Sequence, residues 1–170
     1  MCKDSGEMKN ELSNGEQDSD NRKVATSRVQ LFGADPLTFG VSSEDVSTIS
    51  RWREPTQLPH APESVLGVVS IQGRMLTVLD LARLSGVEAT TEGTYSQIIA
   101  LRGDEQLALA ATAVGEVIEF APVDMGVEAN GNERFVWGVF THSGADIRLL
   151  NVSELFSAAL HGRERRRRRF

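Results

Sequence analysis

The residue types that most often carry out catalysis are sparse in this sequence and are not grouped. Its three histidines, His60, His142 and His161, do not have the spacing of metal-binding pairs. No serine lies in a G-x-S-x-G turn, and there is no phosphate-binding loop of the G-x-x-x-x-G-K-[ST] type. The glycines within Gly126–Gly131 do not match a dinucleotide-binding loop. The sequence therefore predicts a protein without catalytic residues, metal ligands or a cofactor.

The acidic clusters and the cysteine content also argue against a metal site. Asp18–Asp20 and Glu44-Asp45 lack the alternating ligands and central glycine of a calcium-binding loop. Cys2 is the only cysteine, so neither an internal disulfide nor a cysteine-based zinc cluster can form.

Met1–Asn10 has no apolar core of a signal peptide, and no apolar run of about 18 residues is present to span a bilayer. We expect a cytoplasmic protein that does not insert into membranes.

The most concentrated charge lies in residues 161–170, which carry six arginines and one glutamate, net +5, beside an acidic body of net −11. No aromatic platform or reading helix accompanies these arginines, so nucleic-acid binding is disfavoured and would be weak and salt-sensitive. An acidic lipid surface, an acidic protein partner and the chain's own acidic body remain alternatives. The predicted anion-binding residues of this tail are Arg163, Arg165, Arg166, Arg167, Arg168 and Arg169.

The middle of the chain has the composition of one folded domain. The full sequence of 170 residues is 40% apolar and 25% charged, which is ordinary for a globular protein of one domain. Residues 1–26 are polar and cannot bury enough apolar surface to offset the entropy of ordering. We predict a flexible segment over 1–26, a folded domain over 27–160 and an arginine-rich tail over 161–170.

Short apolar segments with the two-residue period of β-strands fill this domain. Helical periodicity is present only at Leu79–Leu84 and Val152–Leu160. Turn-forming residues separate the segments, so we predict an all-β body of mainly antiparallel hairpins with short helices. The nine candidate strands are Val29–Phe32, Leu37–Val41, Val65–Ile71, Met75–Leu79, Ile98–Leu101, Leu107–Ala111, Val114–Phe120, Phe135–Phe140 and Ile147–Leu150.

The two predicted helices follow their strands in the same way. Asp80 precedes the first helix and Asn151 precedes the second, each directly after an apolar strand. A side-chain oxygen at such a position accepts an amide hydrogen that the first helical turn leaves unpaired. We expect a capping role at both residues and no acid–base role for Asp80.

Several glycine- and valine-rich blocks run in order along residues 27–160, among them Val29-Gln-Leu-Phe-Gly33, Val65–Gly73 and Leu149–Phe156. Together the blocks resemble the CheW-like domain of bacterial chemotaxis coupling proteins. Leu58-Pro-His-Ala-Pro62, Val65–Gly73 and Val78–Leu81 are similar to the family core written lP-x-aP, v-x-Gv-x-n-l-RG and PV-v-Dl. The other similar blocks are Val29–Gly33, Leu37–Val41, Val46–Ile49, Leu109–Val117, Phe135–Val139 and Leu149–Phe156.

The resemblance implies a fold of two intertwined five-stranded SH3-like β-barrels with a C-terminal helix. It also implies a non-catalytic adaptor that binds the cytoplasmic tip of a chemoreceptor and the regulatory domain of a CheA-type histidine kinase. An apolar groove near Val46, Ile49 and Val68 would take the receptor's helical hairpin, and strand edges would pair with the kinase. Self-association or ring assembly through those edges, and recruitment to membrane-associated receptor arrays, are further implications.

Two residues of this implied interface depart from the family pattern. Thr48 stands where the family usually has glutamate, and Gln72 stands where it usually has arginine, directly before Gly73. Arg74 could replace the missing charge, or it could be an ordinary solvated hairpin residue. A divergent scaffold for a signalling system other than chemotaxis is therefore the alternative function.

Overall fold

The computed structural model describes residues 26–87, 94–124, 127–128 and 133–161. Nearly all of the predicted flexible segment 1–26 and of the arginine-rich tail 161–170 lies outside the described residues. None of the described helices is long and apolar enough to cross a membrane. The elements are β1 (Ser27–Ala34), β2 (Leu37–Ser42), β3 (Val46–Arg51), β4 (Val65–Ile71), β5 (Arg74–Leu79), α1 (Leu81–Leu84), β6 (Gln97–Leu101), β7 (Leu107–Ala111), β8 (Ala113–Phe120), β9 (Val127–Glu128), β10 (Val136–His142), β11 (Ala145–Leu150) and α2 (Val152–His161).

The strands form two sheets, and the predicted all-β fold with a C-terminal helix is confirmed. The first sheet has the order β8-β1-β2-β11-β10-β9 and the second has the order β3-β6-β7-β5-β4. All nine predicted strands are present, while β3 and the two-residue β9 were not predicted as strands. The first sheet is thus five-stranded, as expected, with β9 as a short sixth strand. The pairs β1–β2, β4–β5, β6–β7 and β10–β11 are antiparallel hairpins, but β2 with β11 and β5 with β7 pair in parallel.

Each sheet curls around an apolar core of its own, which gives two small barrels. The first-barrel core includes Val29, Phe140 and Ile147. The second-barrel core includes Leu76 and Ile98. Successive side chains of a strand point to opposite faces, so the alternate residues of β1, β6 and β7 enter a third cluster that is shared by the two barrels. We call it the central cluster, and both helices pack on it.

The hairpin β4–β5 and the hairpin β10–β11 are repeats separated by 71 residues. Each opens with a bulge, before Gly67 in one and before Gly138 in the other. Each turns through two residues of positive φ, Gln72-Gly73 and Ser143-Gly144, which is the geometry that matches the right-handed twist of paired strands. The repeat therefore includes the irregular features of the hairpin as well as its apolar pattern.

The residues that close the barrels are spaced in the same way. Thr56 forms a two-way backbone bridge with Val68 on the outer side of β4, with both N···O distances at 2.9 Å. In the other barrel Val127 of β9 pairs with Val139 on the outer side of β10. Gly67 permits this closure, because a Cβ there would lie 2.3 Å from the Thr56 carbonyl oxygen.

The two halves of the chain exchange their first hairpins. Each half contains a hairpin, a single strand, a closing residue, a second hairpin and a helix. The hairpin β1–β2 of the first half pairs with β8 and β11 of the second half. The hairpin β6–β7 of the second half pairs with β3 and β5 of the first half. Neither barrel can form from one half alone, so the two barrels are intertwined as predicted.

Candidate functional site

A cleft of about 690 Å³ opens between the two barrels. Its deep side is apolar and includes Val29 of β1 and Leu101 of β6, each only 1% exposed. The first turn of α2 and the loop between β6 and β7 form its walls. The central cluster lies beneath it, since Leu101, Leu107 and Leu150 belong to both the cluster and the cleft lining. This surface combines an apolar floor with walls from both barrels.

Trp137 stands in the lining of this cleft with 60% of its side chain exposed. The register of β10 against β11 shifts between Val136 and Gly138, so Trp137 is the extra residue of the bulge. A bulge changes the direction in which side chains leave the strand. Val136 accordingly enters the central cluster, whereas Phe140, four residues on, enters the first-barrel core. The bulge thus presents a large aromatic side chain to solvent and to the cleft.

The wall contributed by the second barrel is acidic. Asp45, Asp104 and Glu105 line it, and none of them forms an ion pair with a described residue. Partial burial raises the pKa of Asp45, and the neighbouring Glu44 raises it further. Arg102 is the cation of the lining, but its Nε donates a 3.0 Å hydrogen bond to the Val46 carbonyl. Three carboxylates and one guanidinium therefore give the described lining a net charge of −2.

Two of the predicted interface residues pack on the central cluster. Val46 and Ile49 of β3 are half-buried against it. They share one face although they are three residues apart, because the β3–β6 register shifts between Val46 and Thr48. Val46 is next to Asp45 and opposite Leu101, both of which line the cleft. The start of β3 is therefore at the cleft edge, and Thr48 is half-buried opposite Ala100.

The other predicted interface residues lie on the hairpin β4–β5, outside the lining of the cleft. Val68 pairs with Thr77 and is half-buried. Gln72 and Gly73 form the exposed hairpin turn, with φ values of 51° and 77°. Arg74 Nη2 donates a 3.0 Å hydrogen bond to the Gly103 carbonyl, which ties the hairpin to the β6–β7 loop. That contact favours a structural role for Arg74 over replacement of the missing arginine charge.

The predicted capping role of Asp80 is confirmed, and the structure adds two partners. Asp80 Oδ1 accepts the Arg83 amide at 3.2 Å. Asp80 Oδ2 lies 3.3 Å from Arg83 Nε and accepts a hydrogen bond from the Tyr95 hydroxyl. The residue is 2% exposed, so its charge is held by these contacts rather than by water. Tyr95, far along the chain, could not be predicted as its partner.

Asn151 caps its helix differently from the predicted manner. Its backbone carbonyl accepts the Glu154 amide at 3.2 Å, while its side-chain oxygen accepts the Ser153 hydroxyl at 2.7 Å. Asn151 and Ser153 both line the cleft. The side-chain oxygen of Asn151 is thus near a solvent-accessible surface instead of being enclosed in the core.

The histidines remain separate in the fold. His142 Nε2 lies 3.3 Å from Glu116 Oε1, and His161 Nδ1 lies 2.8 Å from the Ser157 carbonyl at the end of α2. His60 has a φ of 61° in the turn after Pro59. Within the described ranges no three His, Cys, Asp or Glu side chains are placed to hold a metal ion.

Both the sequence and the fold are similar to those of known proteins. The family model described as CheW-like domain matches residues 28–160. The chemotaxis protein CheW of Rhizobium meliloti is 26% identical over 123 residues, covering 69% of this chain and 79% of that protein. A probable chemotaxis protein CheW of Rhizobium etli is 26% identical over 124 residues, covering 70% and 80%. The crystal structure of the scaffolding protein TtCheW from Thermoanaerobacter tengcongensis superposes with a TM-score of 0.64 at 21% identity, covering 74% of this chain and 89% of that one.

Proposed function

Since this chain belongs to the CheW-like domain family, we propose that it is a non-catalytic adaptor joining chemoreceptors to a CheA-type histidine kinase. It would act by binding alone, in the cytoplasm, and would be recruited to membrane-associated receptor arrays by its partners. The observation that carries the proposal is the apolar cleft between two intertwined barrels in a chain of this family. A surface built from both barrels suits a protein that holds partners in a fixed relation.

We infer that the receptor's helical tip binds in the cleft. An amphipathic helix is about 10 Å across and buries an apolar stripe when it lies in a hydrophobic groove. The buried floor at Val29 and Leu101 offers the matching apolar surface, and the exposed Trp137 offers an aromatic anchor at its edge. Val46 and Ile49 would support this surface from β3 through the central cluster.

The kinase's regulatory domain would bind at the outer strands of the barrels. The strands at the edges of the sheets include β4 and β8, and an edge strand presents backbone groups that can pair with another chain. Thr56 already pairs with β4 at Val68, so another chain would pair with the rest of that edge. Beside β4, Met75 is 56% exposed and lies opposite Ser70. On β8, Val117 is 42% exposed. Gln72 and Gly73, which the family resemblance places beside the receptor-binding surface, adjoin the first of these surfaces.

Calorimetric titration with a receptor-tip fragment and a kinase regulatory domain from the same organism tests both surfaces. Trp137→Ala should weaken receptor binding about tenfold, because aromatic anchors dominate interface energies. Met75→Glu should weaken kinase binding by a similar factor, since a buried unpaired carboxylate is costly. Each variant is the matched control for the other and should leave the second partner's affinity unchanged. Wild-type protein that binds neither partner would contradict the proposal.

The departures at Thr48 and Gln72 favour a second candidate, a divergent scaffold with different partners. The exposed turn accepts Gln72→Arg, because only the side chain changes at a position that already has positive φ. If the partners are the usual ones, Gln72→Arg or Thr48→Glu should strengthen their binding in the same titrations. Weakened binding would show that this chain has adapted its surface to other partners.

A further inference from the structure

Three features of the cleft favour an occupant that carries positive charge and can stack on an aromatic ring. Asp45, Asp104 and Glu105 form no ion pair with a described residue and, with Arg102, leave this wall a net charge of −2. The guanidinium of Arg102 is already bonded to the Val46 carbonyl. Trp137 presents its exposed ring to the same cleft, and a guanidinium stacks favourably on an indole face. Arginine is the side chain that satisfies both the wall and the ring.

The chain carries such a segment within reach. Helix α2 begins at the cleft, where Val152 is part of the lining, and ends at His161. Its ten residues span about 15 Å at about 1.5 Å per residue. Extended chain covers about 3.3 Å per residue, so the arginines from Arg166 onward can return along the helix to the cleft. Residues 161–170 carry a net charge of +5.

We propose that Arg166–Arg169 binds across this cleft in the same molecule and covers Trp137. Tethering gives the segment a local concentration on the order of millimolar, so even weak pairing with Asp45, Asp104 and Glu105 holds it there at low salt. If the receptor tip binds the same cleft, the segment and the tip exclude each other, and this competition rests on the proposed function. The contact between the segment and the cleft does not depend on that function. The acidic body favours this site over a nucleic acid, which it repels.

Paramagnetic relaxation enhancement on the full chain tests the contact. A nitroxide is attached to a cysteine introduced by Phe170→Cys in a Cys2→Ser background, since Cys2 is the only native cysteine. At low salt the Trp137 indole signal and the Asp104 and Glu105 amides should lose most of their intensity. The Gly144 amide, in the β10–β11 turn about 20 Å along β10 from Trp137, should keep most of its own. Raising salt to about 1 M shortens the screening length to about 3 Å and should restore the lost signals.

Matched charge variants test the specificity of the contact. Asp104→Gln with Glu105→Gln should restore the Trp137 signal, whereas Glu54→Gln with Glu116→Gln, which removes two exposed acids outside the lining, should not. Uniform broadening, or no broadening at the cleft, would overturn the proposal. A sample that mixes isotope-labelled protein with separately spin-labelled protein identifies the molecule that supplies the tail. Broadening that survives in this mixture would place a second copy's tail in the cleft and would also overturn it.

Receptor titration tests the competition separately. Replacing all four residues Arg166–Arg169 by glutamine should raise the affinity for the receptor tip about threefold to tenfold, because the competing segment is removed. Replacing them by lysine keeps the charge and should leave most of the competition. If the glutamine variant binds the tip no better than the wild type, the segment does not compete with the tip, even when relaxation enhancement shows the contact. If no form binds the tip, the proposed function fails while the relaxation experiment still decides the contact.

Discussion

The hairpin–helix unit of residues 65–84 and the unit of residues 136–155 are built alike but end in different surroundings. Both have the bulge, the two-residue turn and a parallel partner strand. In both, the amide before the helix donates to the carbonyl that precedes the hairpin, from Asp80 to Ser64 at 2.8 Å and from Asn151 to Phe135 at 2.7 Å. The backbone plan is therefore shared, and the differences lie in side chains.

The first unit is sealed and the second is open. At the bulge, Leu66 packs on the second-barrel core, whereas Trp137 is largely exposed. Before the helix, Asp80 is enclosed by Arg83 and Tyr95, whereas Asn151 lines the cleft. One copy of the unit thus stabilises the scaffold and the other leaves a surface available for binding. Three predictions test this contrast, in order of expected effect.

Removal of the capping side chain should affect the two units very unequally. Asp80→Ala should lower the free energy of unfolding by about 3 kcal/mol, because it removes a helix cap, a hydrogen bond from Tyr95 and an ion pair with Arg83 from a buried group. Asn151→Ala should cost about 0.5 kcal/mol, since its side chain bonds mainly to an exposed serine. Urea denaturation at neutral pH measures both values.

Asp80→Asn separates the cap from the charge, since it keeps an acceptor for the Arg83 amide but removes the ion pair. The loss of unfolding free energy in Asp80→Asn should be greater than zero and smaller than that in Asp80→Ala. Equal costs for Asp80→Ala and Asn151→Ala would contradict the sealed-versus-open comparison.

Truncation of the bulge residue should also destabilise the protein to different extents in the two units. Leu66→Ala should cost about 2 kcal/mol, because it leaves a space in the second-barrel core. Trp137→Ala should change stability by less than about 0.5 kcal/mol, because its ring contributes little to packing. The same urea experiment compares them, and a large loss in the tryptophan variant would mean that its ring supports the fold rather than a partner.

The smallest effect is expected from Tyr95 and should depend on pH. Burial raises the pKa of Tyr95 above its usual value of 10, and the hydrogen bond to Asp80 raises it further. The unfolded chain then loses this proton first as pH increases, so stability falls above about pH 10. Tyr95→Phe should cost about 1 kcal/mol at neutral pH and flatten this alkaline loss. Because Tyr95 is the only tyrosine, its ultraviolet titration reports the group directly. A midpoint at or below 10 would contradict the enclosure of Asp80.

Much of the fold was predictable because it depends on local patterns. The short apolar runs of β4 and β7 predicted both strands with the observed bounds, since turn or loop residues bracket each run. Strand β3 was missed because its apolar residues, Val46 and Ile49, are three apart, and only the bulge brings them to one face. The cleft was missed because its lining comes from segments far apart in the chain, and only the exchange of hairpins brings them together.

The amino-acid order by itself determined nine of the described strands, the turn residues Gly73 and Gly144, the capping residue Asp80 and membership of a family of β-barrel adaptors. These depend on neighbouring residues or on an ordered series of short blocks. The tertiary structure alone decided that Tyr95 encloses Asp80, that a bulge exposes Trp137, and that acidic side chains from one barrel face it. Those relations depend on register and on long-range pairing, because shifting a strand by one residue exchanges its inner and outer faces.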